Sequence, residues 1–164
     1  MSSRMAKIAS MIAALCAVTA FFLPYFSVSA GGALYTASGW HFAFGAPDFP
    51  YSGSVNVLYL IYMLCPLAIF FLWLAGLDRR RQFHISALIA LFNAFWLIWL
   101  RNRLLHEAQA SVSGPEPVAG IGWMMSLAAM FMCILLCFFG CQALRLEEKG
   151  ETRKVSLRRQ PWLA

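Results

Sequence analysis

The chain has 164 residues, of which 61% are hydrophobic and only 12% charged, with a net charge of +6. Soluble domains carry about 25% charged residues, so this balance excludes an ordinary water-facing domain and favours a surface that meets lipid. Four apolar stretches without Asp, Glu, Lys or Arg dominate the length, which leaves no room for a separate soluble enzyme domain. Hydrocarbon cannot hydrogen-bond a backbone, so apolar runs near twenty residues are read as membrane-spanning helices. The expected fold is an all-α membrane protein: a four-transmembrane-helix bundle with a short β-hairpin in its first extracytoplasmic loop. The expected spans are about 8–26, 57–77, 85–104 and 120–144, with an outer loop at 27–56, within a domain 1–146 that precedes a charged cytoplasmic tail at 147–164.

The basic residues set the expected topology. Arg4 and Lys7 precede the first span, Arg79, Arg80 and Arg81 join the second to the third, and six more follow the fourth. Only Arg101 and Arg103 fall on the other side. Basic short loops stay in the cytoplasm, so both termini are expected there, in a bacterial inner membrane. Tyr25, Tyr59, Trp96, Trp99 and Trp123 fall near the outer ends of the spans, where amphipathic rings favour the headgroup layer.

The first span, read as an uncleaved anchor, ends at Leu23-Pro24-Tyr25, because proline disfavours helix at the residue before it. Val28-Ser29-Ala30 before Gly31 matches a small-residue cleavage site, but the apolar run exceeds the roughly 7–15 residues of a signal core. The segment Phe26–Ala30, then Gly31-Gly32, then Ala33–Ala37 predicts a β-hairpin, since Gly-Gly supplies the positive φ of a two-residue turn. A lone hairpin is marginal in water, so Trp40, Phe42, Phe44, Phe49 and Tyr51 are expected to pack it onto the helix ends. Gly39, Gly45, Pro47, Pro50 and Gly53 are expected to break any longer regular element.

The second helix carries Cys65-Pro66 near its middle and should kink there. Asp78 and the three arginines are expected to form a tight turn into the third helix. That helix projects past the membrane through His106 and Glu107, and Gly114-Pro115-Glu116-Pro117 ends it. The fourth helix bears a small-residue stripe of Ser126, Ala129, Cys133, Cys137, Gly140 and Cys141, an expected packing seam.

No catalytic, cofactor-binding or metal-ligating constellation stands out. All five cysteines fall within spans, where they read as small packing residues. Paired outer cysteines for disulfide exchange are missing, and no two histidines share a depth at which they could ligate a haem. Stacking platforms and recognition motifs for nucleic acid are missing as well. The apolar runs themselves, Ile85–Leu100 in the third span, carry no Asp, Glu, Lys or Arg, so Asn93, near the centre of the third helix, is the principal intramembrane polar residue; a hydrogen bond to a neighbouring helix is expected for it. Facing outward, Trp40, His41, Phe42, Phe44, Asp48, Arg101 and Arg103 are the candidate partner-binding residues, with Glu107 in the same polar cluster. The expected partners are the lipid bilayer and another membrane protein or a second copy. A small channel or transporter for an uncharged or lipid-like substrate, lined by Asn93 and kinked at Pro66, is the other reading.

At Leu23-Pro24-Tyr25-Phe26-Ser27-Val28-Ser29 and Ser38-Gly39-Trp40 the chain resembles a loose group of small bacterial four-span proteins. They share a first helix ending in Leu-Pro-aromatic, a Ser/Val strand and a Ser-Gly turn. The match covers about twenty residues and implies the four-span layout but no activity. That layout is also similar to the claudin-type tetraspans, without their Trp…Gly-Leu-Trp…Cys…Cys loop signature.

Overall fold

The computed structural model describes residues 2–45, 57–110 and 117–158. Three of its helices are long and apolar enough to cross a membrane: α1 (Ser3–Ala20), α4 (Arg79–Ala110) and α5 (Ile121–Arg158). A shorter apolar helix, α3 (Ile61–Leu74), continues a 3-10 turn at Val57–Leu60. The chain is thus a mostly helical multi-pass membrane protein. Helix α1 packs against α5 and α3, and α4 packs against the same two, so each long helix has two neighbours.

The α1 face that meets its neighbours is almost all alanine: Ala6, Ala13, Ala14, Ala17 and Ala20 are buried. Across from it, Ser126, Ala129, Cys133 and Cys137 of α5 are buried as the small-residue stripe predicts. Small side chains on both partners let the backbones approach closely, which is where van der Waals packing between membrane helices comes from. Where α5 begins, the approach to the end of α1 leaves no room for a side chain. A Cβ on Gly122 would lie 2.6 Å from the Leu23 carbonyl oxygen and 2.8 Å from that of Ala20, so only glycine fits.

Strands β1 (Pro24–Ala30) and β2 (Ala33–Ser38) form the expected antiparallel hairpin, with Ala30 opposite Ala33. Gly31 (φ 60°) and Gly32 (φ 81°) make its turn, a left-handed pair that side chains resist. A third strand, β3 (Val118–Ala119), pairs with the other edge of β1 and gives the order β2-β1-β3. Its last ladder bond runs from the Gly120 N–H to the Tyr25 carbonyl at 2.7 Å. The short helix α2 (Gly39–Phe44) follows β2 directly.

Three expectations need correction. The first helix ends at Ala20, not near residue 26: Pro24, Tyr25 and Phe26 are already strand, because Pro24 lacks the N–H that would continue the helix. Strand β2 does stop before Gly39, which at once opens α2 with Ser38 as its cap. The turn before α4 is made by Ala75–Asp78, with Gly76 at φ 67°, whereas Arg79, Arg80 and Arg81 form the first turn of the helix. The charged segment after Leu144 continues α5 without a break as far as Arg158.

Candidate functional site

The sheet end of the molecule is an aromatic cap. Phe21, Tyr25, Phe26, Val28, Phe42, Tyr59 and Tyr62 are buried in one cluster with Leu97, Leu100 and Leu104 of α4. Phe26 meets Phe42 edge-on at 5.9 Å between centroids, and Phe42 meets Tyr59 in the same way at 5.7 Å. Such pairs add about 0.5–1.5 kcal/mol beyond the area they bury. Tyr25 completes the cap with a 2.8 Å hydrogen bond to the Ser126 hydroxyl of α5, and burial pushes its phenol above the ordinary range. The candidate partner residue Phe42 is therefore a core residue of the cap.

Trp40 and Phe44 point the other way. They lie one helical turn apart on α2, their rings 4.2 Å apart, and Trp40 stacks on Phe22 at 6.0 Å. Exposure is 44% for Trp40, 46% for Phe44 and 55% for Phe22. These three rings form one open shelf. A six-residue helix is too short to hold itself, and Ser38 supplies the missing stability. Its hydroxyl accepts from the His41 N–H at 3.4 Å, while His41 Nδ1 accepts from the Ser38 N–H at 3.1 Å. The reciprocal pair is a capping box with histidine in the place of the usual Glu or Gln. His41 thus fixes the shelf rather than lying on it as a free ligand, and accepting at Nδ1 puts its neutral proton on Nε2.

Arg101 and Arg103 are exposed on α4 and engage different indoles. The Arg101 guanidinium lies 5.8 Å from the Trp123 ring centroid and that of Arg103 lies 5.6 Å from the Trp99 centroid. Trp123 also donates its N–H to the Leu97 carbonyl at 3.0 Å. Phe92, Trp96 and Trp99 stack in series along α4 below Arg103, at 6.0 and 4.9 Å. The arginines are therefore anchored on aromatic faces, with His41 engaged separately at Ser38. Asp48 and the side chain of Glu107 lie outside the described residues, as do the packing rings Phe49 and Tyr51.

Asn93 is fully buried, and neither atom of its carboxamide has a hydrogen-bond partner. The expected bond to a neighbouring helix is not made. Ser86, seven residues earlier and on the same face, also has an unpartnered hydroxyl. Among the described residues, no three His, Cys, Asp or Glu converge as metal ligands. Sequence reasoning missed Phe22, which it placed within the first span, and Ser38, whose Ser-Gly-Trp-His context lacks the acidic or amide residue that marks most capping boxes.

No protein-family model matches the chain, and no curated protein is similar enough to count as a relative.

Proposed function

We propose that the chain is a non-enzymatic accessory or assembly subunit that binds a partner membrane protein through its aromatic shelf and helix faces. In this reading it is a four-transmembrane-helix bundle of a bacterial inner membrane, with both termini cytoplasmic. Helix α3 and its 3-10 turn would give about 21 Å and about 8 Å of length, close to the roughly 30 Å of hydrocarbon a span must cross. The placement of eleven of the thirteen basic residues supports the orientation.

The single observation that carries the partner reading is the shelf of Phe22, Trp40 and Phe44. The box at Ser38 fixes α2 with a reciprocal pair of hydrogen bonds, and what α2 then presents is two large outward rings. Rigid aromatic anchors lose little entropy on docking, which is why Trp and Tyr dominate binding hot spots. Purification in mild detergent should co-isolate a partner, or yield an oligomer, and Trp40→Ala with Phe44→Ala should abolish that association while the helical content stays unchanged. A wild-type chain that behaves as a clean monomer, or a double variant that keeps its partner, rules the reading out.

A second reading, a small channel or transporter for an uncharged or lipid-like substrate, is favoured by the unpartnered groups of Asn93 and Ser86 on the inner face of α4. A pathway residue keeps its polar atoms free for what passes. Asn93→Leu would then abolish transport in liposomes with folding intact; unchanged flux would discard this reading.

A further inference from the structure

At the end of the molecule away from the sheet, α4 and α5 part around a groove of about 300 Å³. Its walls are Phe83, Ala87, Ile134 and Phe138. Phe83 packs so closely on α5 at Gly140 that a Cβ there would collide with its ring. At the mouth stand His84, Gln142 and Arg145, all exposed and all able to donate N–H bonds. Arg80, one turn before His84, lies with Arg145 within electrostatic range of Cys141, which also lines the groove.

The depth of this mouth is set by sequence. Arg145 is the first charged residue after the apolar run that starts at Ile121, and His84 lies three residues past Arg81, the last of the three arginines that open α4. The mouth therefore lies at the level of the headgroups, and the walls lie at the level of the first methylenes. Beside it Leu88 and Phe139 face outward, so the groove is flanked by surface that meets hydrocarbon. A soluble anion would have no use for the apolar walls, and a neutral lipid would have no use for the arginines. Arginine is also the side chain whose planar fork matches phosphate oxygens two at a time.

We propose that this groove binds one anionic phospholipid, its phosphodiester held by Arg145 with His84 and Gln142 and its upper acyl chain lying along Phe83, Ala87 and Phe138. The site is independent of the shelf and of any partner bound there.

Native mass spectrometry of the full chain, released from detergent with phosphatidylglycerol and phosphatidylcholine of matched chains in competition, tests this. The first retained lipid should be phosphatidylglycerol. Arg145→Gln should weaken its retention about fivefold, the effect of one basic residue near an anionic headgroup. Ala87→Phe fills the groove while keeping every cation and should remove the bound lipid; it also serves if the Arg145 variant fails to fold. Arg101→Gln, at the opposite end, should change nothing, and millimolar inorganic phosphate should not displace the lipid. Equal retention of phosphatidylcholine, retention in Ala87→Phe, or displacement by phosphate overturns the proposal. An equal loss in Lys149→Gln also overturns it, because it would show diffuse charge attraction rather than a site.

Discussion

At Asn93 a carboxamide with four hydrogen-bonding positions is fully buried with none of them used. Leaving a buried polar group unsatisfied costs about 1–3 kcal/mol, so nearly isosteric Asn93→Leu should stabilise the protein by about that amount. Unfolding in mixed micelles measures it, and a variant less stable than wild type would show that the amide is bonded after all. Tyr25 is the opposite case, a buried hydroxyl that is satisfied. Tyr25→Phe strands the Ser126 hydroxyl and should cost about 1–2 kcal/mol, read as a lowered Tm. Both residues stand out in the sequence, but their states do not. Polarity inside an apolar run is visible from composition, whereas the presence of a partner depends on which residue of another helix arrives at the same depth.

Helix ends show the same division. Interior apolar runs announced α1, α4 and α5, while their boundaries came from contacts between segments distant in sequence. Glu147 was assigned to a charged tail; it reaches the start of α1, where its carboxylate accepts from the Ser3 hydroxyl at 2.7 Å and from the Ser3 N–H at 3.1 Å. An acidic group is favoured at that position because the first helical N–H groups lack intrahelical acceptors and carry partial positive charge. The Ser3 bonds, first that of the hydroxyl and then that of the backbone, hold the Glu147 carboxyl below its usual value. A lowered folded-state pKa means the clasp stabilises above the ordinary carboxylate range and is lost as pH falls through the depressed value. Stability of the wild type should thus drop on acidification in that window more than that of Glu147→Gln, which already lacks the charge. At the other end, Ser38→Ala removes one side of the capping box and should cost about 1 kcal/mol, with α2 amides exchanging faster. The hairpin was legible because Gly31-Gly32 is a local signal; β3 was not, because two residues carry no periodicity and pair only through β1.

Over the whole molecule, the apolar spacing was enough to expect helices in a membrane, and the small-residue stripe on α5 was enough to expect where it would pack. The alanine face of α1 is the other half of that contact. Gly122 lies against the Ala20 and Leu23 carbonyls, so Gly122→Leu should force α5 off the end of α1 and destabilise by about 1–3 kcal/mol, on the scale of overpacking. Failure of that variant to lose stability would mean the helices meet elsewhere. The function was far less legible, since a shelf of rings and a groove with a basic mouth are made by side chains from several elements and leave no motif. The pairing of β1 with β3 has one more implication, for biogenesis. Strand β1 is made well before β3, so until Val118 and Ala119 arrive the nascent chain carries a strand with one edge unzipped. A chain truncated before Val118 would keep that bare edge permanently and become a substrate for membrane proteolysis, and pulse-chase decay of such truncations would reveal it.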